Sequence, residues 1–456
     1  MPLTRWLAEY AWLPDRAEPT RDVLIEATDG RLTAVTPLTV DGPPTAGVEV
    51  LGDAVRLPGL TVPGLANAHS HAFHRALRGR THDGRGDFWS WRSLMYAVAT
   101  RLDPDTYLAL ARAAYAEMAL SGITCVGEFH YLHHGPGGTP YDDPNAMSAA
   151  LVEAAAHAGV RLTLLDTAYL AGGVDGAPLT GPQRRFGDGD ALRWAARVDE
   201  FRPADEHVRL GAAIHSVRAV PAEQLATVAG WADRNGLPLH VHLSEQPAEN
   251  DACRAVHGCT PTRLLADHGV LGPHTTAVHA THPTAADVAL LGDSRTRVCV
   301  CPTTERDLAD GVGPVRRMAD AGSPLSLGSD SHAVVDLFEE ARALEMDERL
   351  RTRRRGHFTP VELLTAATVG GHAALGWGDA GRLAVGQRAD LVTVRLDSAR
   401  TAGVPPVGAF FAATAADVTS VVVDGRPVVD GGRHLTVDVP TELRDSIAAV
   451  TAKEDS

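Results

Sequence analysis

The chain reads as an α/β protein, a (β/α)8 TIM-like barrel with a small β-sandwich domain built from both chain ends. Three observations predict this. Eight short apolar runs alternate with helix-patterned segments between residues 61 and 384. A strand–Asp-Gly–strand pattern near the N-terminus is mirrored by a second one near the C-terminus. Histidines and acidic residues gather where several of the apolar runs end, and in a barrel the C-terminal strand ends carry the chemistry.

The elements follow in order. Val23–Ala27 and Arg31–Val35 flank Asp29-Gly30 and read as a hairpin. The first barrel run is Leu60–Leu65, leading into Asn67-Ala68-His69-Ser70-His71. The others are Ile123–Val126, Arg161–Leu165, Val208–Ile214, Leu237–Leu243, Thr276–Val278, Arg297–Val300 and Pro324–Leu327. Between or after them, Pro104–Leu120, Asn145–Ala158, Pro221–Asn235 and Val334–Leu350 space their alanines and leucines by three and four, as helices do. Strand patterning returns with Ala389–Val394, and Val418–Val423 and Arg426–Val429 flank Asp424-Gly425. The expected organisation is a composite β domain from residues 1–60 and 385–440, a barrel over 61–384, and a C-terminal segment over 441–456. The polar tail Thr451–Ser456 is expected to fray.

Composition narrows the function. The chain has 456 residues, 44% of them hydrophobic, enough for a sizeable core. No apolar run approaches the roughly 18 residues of a membrane span, and the N-terminus lacks a signal-like core. A cytoplasmic protein without membrane partners is expected. A net charge of −15 argues against nucleic acid as a partner. Five cysteines spread along the chain make no disulfide framework, and Cys299-Val300-Cys301 reads as strand. The only lysine is Lys453, which excludes a Schiff-base or metal-bridging lysine in the barrel and points to one ion per subunit.

The polar residues on the strands supply a metal site. His69 and His71 lie two apart, on one side of an extended segment. Strand five carries His240 and His242 and runs on to Glu245. Strand six leads to His279, and strand eight leads to Asp330. Three neutral imidazoles and one carboxylate suit mononuclear zinc with room for water. His69, His71, His242 and Asp330 are the expected ligands. His242 is preferred over His240 because it lies nearer the strand end. Zinc brings the pKa of bound water to about 7, so no serine or cysteine nucleophile is required. Glu245 is placed to shuttle a proton to a leaving nitrogen, and His279 to polarise the electrophile. The chain contains neither His-Glu-x-x-His nor Pro-Cys-x-x-Cys.

This set of histidines and a late aspartate resembles the amidohydrolase superfamily over nearly the whole chain, and Ala384–Val392 is similar to its re-entry into the β domain. Phe88-Trp89-Ser90-Trp91-Arg92, Glu128-Phe129-His130-Tyr131-Leu132-His133-His134, His215-Ser216-Val217-Arg218 and the opening Ala8–Pro14 resemble the formimidoylglutamate deiminases of histidine degradation. The resemblance implies zinc-dependent hydrolytic deamination of N-formimino-L-glutamate to N-formyl-L-glutamate and ammonia. It implies metal roles for His69, His71, His242 and Asp330 and catalytic roles for Glu245 and His279. It also implies substrate contacts from Arg92, Tyr131, His215 and Arg218. Two arginines from different loops suit a dicarboxylate, because guanidinium grips carboxylate through paired donors.

One departure stands out. His74 occupies the position where that family usually has glutamine, which opens the substrate preference to a related formimino amino acid. His74 is therefore included among the substrate contacts. The rival readings are a deaminase or chlorohydrolase of a nucleobase or related ring, and a non-catalytic barrel scaffold. Zinc is the expected ion, with Fe2+ as the alternative, and a homodimer is the expected assembly. His130, His133 and His134 read as loop histidines. The Gly172–Gly189 stretch reads equally as a lid over the mouth or an interface loop.

Overall fold

The computed structural model describes residues 3–38, 53–81, 88–203 and 206–452, with residues 88–90 described by their backbone alone. The tail from Lys453 onward and the side chains of Phe88, Trp89 and Ser90 lie outside the described residues. Near the N-terminus lie β1 (Thr4–Ala11), β2 (Thr20–Thr28), β3 (Arg31–Pro37) and β4 (Val55–Pro63). The barrel strands are β5 (Leu65–Ser70), β6 (Ile123–His130), β7 (Arg161–Ala168) and β8 (Val208–Ile214). They continue as β9 (Leu239–Leu243), β10 (Thr275–His279), β11 (Arg297–Val300) and β12 (Leu325–Leu327). The C-terminal strands are β13 (Leu391–Val394), β14 (Val418–Val423), β15 (Arg426–Asp430) and β16 (Arg433–His434).

Two sheets result. One runs β16-β15-β14-β13-β4-β1-β2-β3 and joins both chain ends. Its two hairpin turns have positive φ at both central residues, Asp29 and Gly30 at 51° and 76°, Asp424 and Gly425 at 48° and 75°. That is the turn whose twist matches paired strands, and it explains why Asp-Gly marks both. The turns also meet each other, because Gly30 O accepts Ala389 N–H and Ala389 O accepts Gly425 N–H, each at 2.9 Å. Arg161 on β7 reaches from the barrel to Asp390 and Asp424 and ties the two sheets together.

The second sheet runs β5 through β12 in sequence order, each neighbouring pair parallel. β6 and β7 are buried along their entire length, as expected of strands covered on both faces. The cylinder closes between β5 and the residues after β12 through the parallel bridge Ser70–Asp330. Asp330 N–H donates to His69 O (3.0 Å), and His71 N–H to Asp330 O (3.3 Å). Asn67 reinforces the closure, accepting from Ser329 N–H and donating to Ser329 Oγ.

One expected element needs correction. The apolar run Leu60–Leu65 is not a single barrel strand. Residues through Pro63 belong to β4, which pairs with β13, and the barrel strand starts at Leu65. The chain crosses between sheets at Gly64, where a side chain would collide with Thr124 Oγ1 at 2.2 Å. The helices lie close to their expected positions. Pro104–Leu120 is capped reciprocally by Asp103 and Thr106. The late helix starts at Leu337 rather than Val334, because Asp336 caps the amides of Phe338 and Glu339.

Candidate active site

The expected residues converge at the C-terminal end of the barrel. His71 Nδ1–H donates to Phe129 O and His242 Nδ1–H to His215 O, both at 2.9 Å. A carbonyl can only accept, so each ring must carry its hydrogen on Nδ1 and present a bare Nε2. His71 Nε2 then stands 3.3 Å from Asp330 Oδ1, and His69 Nε2 stands 3.3 Å from the same oxygen and 3.1 Å from His242 Nε2. A lone pair facing a carboxylate at that distance is unfavourable unless a cation lies between them. This donor set therefore fits a divalent metal, with a second layer of backbone carbonyls fixing the tautomers.

Electrostatics agree. Burial, aided by His69, pushes His71 down to about 3. Burial likewise lowers His69 and His242, with their neighbouring histidines adding to the effect. Neutral rings are what a metal ligand requires. His240 points elsewhere, with its Nε2 bonded to Ala374 O at 3.0 Å.

His279 comes as close as a ligand. Donor atoms of His69, His242, His279 and Asp330 all lie within 4.8 Å of one another, as do those of His71, His74 and Asp330. Its surroundings differ from those of the neutral rings. Burial opposes its charge, but Glu245, Glu305 and Asp330 outweigh burial and raise His279 well above the ordinary value. Its Nε2 stands 3.9 Å from Glu245 Oε1 and 3.7 Å from Asp330 Oδ2.

Backbone strain concentrates here. Ser244, His279, Ala280, Asp330 and His332 all have positive φ, between 39° and 69°. Each such non-glycine residue costs on the order of 1 kcal/mol and persists where surrounding contacts over-determine it. These residues terminate β9, β10 and β12, so the strain sits where the functional side chains leave the barrel.

A cavity of about 230 Å³ opens above this group. The helix Phe88–Ala99 brings Arg92 to its wall, where Arg92 Nε donates to Tyr96 Oη (2.7 Å) and Nη2 to Tyr169 Oη (3.4 Å). Arg218 enters from the loop after β8, with Nη2 donating to Glu245 Oε2 at 3.1 Å and Nε 2.9 Å from Glu249 Oε2. Tyr131 Oη bonds His74 Nε2 at 2.9 Å. His215 packs edge-on against Tyr169 at 4.4 Å. His74 Nδ1 is buried without a protein partner, in a ring that lines the cavity.

Sequence reasoning missed Tyr96, Tyr169, Phe186, Glu249 and Glu305. Glu305 had a usable signal, because it lies five residues past the end of strand seven, on the same rim that Glu245 reaches two residues past strand five. The Gly172–Gly189 loop lies at the mouth, since Gly172, Gly173, Val174 and Phe186 line the cavity. Its position is pinned by buried Arg185, which donates to the carbonyls of His134 (2.8 Å), Leu102 (2.6 Å) and Ala99. His130 ends β6 and His133 and His134 lie in the loop that follows it, and all three are buried. They pack into the layer between barrel and helices, beside Asp166, Asp188 and Arg197.

A barrel of this closure, with histidines and an aspartate meeting at its mouth, defines a metal-dependent hydrolase. The chain belongs to the amidohydrolase family, whose pattern matches residues 60–428, and it acts on C–N bonds. It is 37% identical over 445 residues to the formimidoylglutamate deiminase of Pseudomonas aeruginosa, covering 94% of this chain and 95% of that protein. The 8-oxoguanine deaminase of the same organism is 32% identical, with 82% of this chain and 83% of that protein covered. Among solved structures, an amidohydrolase from Brucella melitensis superposes with a TM-score of 0.87 at 32% identity, covering 98% of this chain and all of that one. An adenosine deaminase from Xanthomonas campestris with bound zinc shares the fold, with a TM-score of 0.82 at 24% identity over 98% of this chain and 97% of that one.

Proposed function

We propose that the protein hydrolyses the formimino C–N bond of N-formimino-L-glutamate, giving N-formyl-L-glutamate and ammonia. The carrying observation is that two guanidinium groups, Arg92 and Arg218, line one cavity with the His/Asp group. A dicarboxylate calls for two such grips, whereas a nucleobase does not. The long match to a formimidoylglutamate deiminase supports the same choice.

His69, His71, His242 and Asp330 would hold one zinc ion, which when bound supplies Lewis acidity and a water acidic enough to attack near neutral pH. His279 is left out of the ligand set because its Nε2 faces both Glu245 Oε1 (3.9 Å) and Asp330 Oδ2 (3.7 Å), a placement that suits a hydrogen-bond donor to the reacting group. The remaining work falls to the chain itself. Arg92 with Tyr131 anchors one carboxylate, and Arg218 with His215 anchors the other. His279 Nε2 faces the charge that develops on the formimino nitrogen as the carbon becomes tetrahedral. Glu245 takes one proton from the attacking water and passes it to the formimino nitrogen, then carries the second, from the hydroxyl on the tetrahedral carbon, to the same nitrogen as it departs. A C=O bond replaces the C=N bond, and ammonia leaves with both water protons. Glu245 is already held by Arg218, so substrate binding and proton transfer share one hydrogen-bond network. We propose a cytoplasmic enzyme in histidine degradation, with the barrel from Leu65 to about residue 384 as one folding unit and two copies per assembly.

A ring deaminase is the second reading, favoured by the aromatic walls Trp91, Tyr131, Tyr169 and Phe186 and by the 8-oxoguanine deaminase relative. Ammonia release from N-formimino-L-glutamate, 8-oxoguanine and adenosine, each with and without chelator, separates the two. Turnover of a ring alone would remove the dicarboxylate assignment. Arg92→Met and Arg218→Met should each lower kcat/KM about 100-fold for the dicarboxylate, the scale of a lost charged hydrogen-bond pair.

A further inference from the structure

The scheme above leaves one buried carboxylate beside His279 unused. Glu305 lies in the helix Pro302–Asp307, which follows β11, and is 6% exposed. Its Oε1 accepts the Cys301 N–H at 2.9 Å and stands 3.4 Å from His279 Nδ1. The backbone contact fixes the carboxylate at the base of its own helix, so its position does not depend on the imidazole. His279 depends more on its neighbours. It ends its strand at φ 69°, and Ala280 follows at φ 49°. The backbone there is strained, so side-chain contacts must hold the ring in one orientation.

We infer that Glu305 is a positioning residue for His279. By holding Nδ1–H, it aims Nε2 at the space between Glu245 and Asp330. The comparison with the other rings carries the argument. His71 and His242 give their Nδ1–H to backbone carbonyls, whereas His279 gives its own to a carboxylate. A charged carboxylate holds the Nδ1–H, and with it the orientation of the ring, more firmly than a neutral carbonyl does. The site thus separates two kinds of histidine by what stands behind each ring. This inference rests on the role proposed for His279 in C–N hydrolysis.

Two variants test it in the metal-loaded protein. Glu305→Ala removes both hydrogen bonds, whereas the amide oxygen in Glu305→Gln can still accept. Glu305→Ala should lower kcat about 100-fold and Glu305→Gln about tenfold, with KM within about threefold and metal per chain unchanged. Histidine-selective proton NMR supplies a readout that needs no substrate. A strongly deshielded imidazole N–H should be present in the wild type and in Glu305→Gln, and absent from Glu305→Ala and His279→Gln. Wild-type kcat in Glu305→Ala, a retained resonance, or kcat and metal content falling together would overturn the role. If the wild type releases no ammonia from N-formimino-L-glutamate, the substrate assignment fails, and the resonance still decides Glu305. If Glu305→Ala does not fold, Glu305→Gln carries the kinetic test, and an unchanged kcat in that variant overturns the role.

Discussion

Among the described residues, a histidine–aspartate grouping at the mouth of the barrel and one behind its sheet are both buried, and they differ in kind. At the mouth, His69, His71, His242 and Asp330 turn lone pairs and a carboxylate toward one another. Behind the sheet, His130, His133 and Asp166 also lie within 4.8 Å of one another. There a cation is already built in. Arg197 donates to both oxygens of Asp166 and both of Asp188, and His134 Nε2 meets Asp188 Oδ1 at 3.0 Å. Trp194 Nε1–H completes the coordination of Asp166. Residue types alone do not make a metal centre; what matters is whether the acceptors have already been neutralised. The mouth sets lone pairs and a carboxylate against one another, whereas the second grouping holds a guanidinium between its two carboxylates.

The sharpest way to break this contrast is Asp330→Asn. Turnover should fall by a factor on the order of a thousand or more, with bound metal reduced and the fold retained by circular dichroism. Metal analysis of the wild type should give one ion per chain, and a second tightly held ion would erase the distinction. Next is Glu245→Gln, which should cost about 10²- to 10⁴-fold in kcat while leaving the metal in place. Loss of metal in that variant would move Glu245 into the ligand set.

Arg197→Met probes the other grouping. Removing one partner strands the buried Asp166 and Asp188 and should cost about 3–5 kcal/mol of stability in urea unfolding. Protein that remains folded should keep kcat/KM within about threefold. A large activity loss at full stability would make this network part of the catalytic machinery.

The smallest effect is a pH dependence. Burial pushes His133 down to about 4, so the folded protein keeps it neutral while the unfolded chain protonates it near 6.5. Its share of stability is present above about pH 6.5 and is lost as pH falls toward 4, about 2–3 kcal/mol in all. Burial raises Asp166, but Arg197 outweighs that and holds it at about 2. The Asp166 share is therefore present above its ordinary 3.8 and is lost only as pH falls toward 2. Melting temperatures of wild type and His133→Gln between pH 7 and 4 should converge as the pH drops. Parallel curves would mean that His133 does not carry the charge difference.

Much of the mouth was legible in the chain because a barrel puts the same end of every strand on one rim. His69, His71, His242, His279 and Asp330 all follow or end apolar runs, so alternation and strand order were enough. The choice of His242 over His240 also followed from distance to the strand end, and His240 does face the helix carbonyl of Ala374. The roof was not legible. Val174 and Phe186 reach the cavity through loop folding, which leaves no periodic trace. The Leu60–Leu65 run misled because it is apolar in both sheets it serves, and only Gly64 marks the crossing. The loop position of His133 and His134 was legible, but the burial of the trio His130, His133 and His134 was not, because it depends on long-range packing. Nothing local in Glu128–His134 announces Arg197.

The seam between Asn67–His71 and Ser329–Asp330 has a consequence for how the enzyme comes into being. The earliest and latest members of the proposed ion-holding set, His69 and Asp330, sit on opposite lips of that seam. During synthesis the N-terminal lip emerges long before its counterpart. The cylinder therefore cannot shut, and the centre cannot exist, until nearly three quarters of the polypeptide has been made. A captured ion would then act as a rivet across the joint, so nascent chains cut short of Asp330 should be inert and open-sided however well their earlier strands pair.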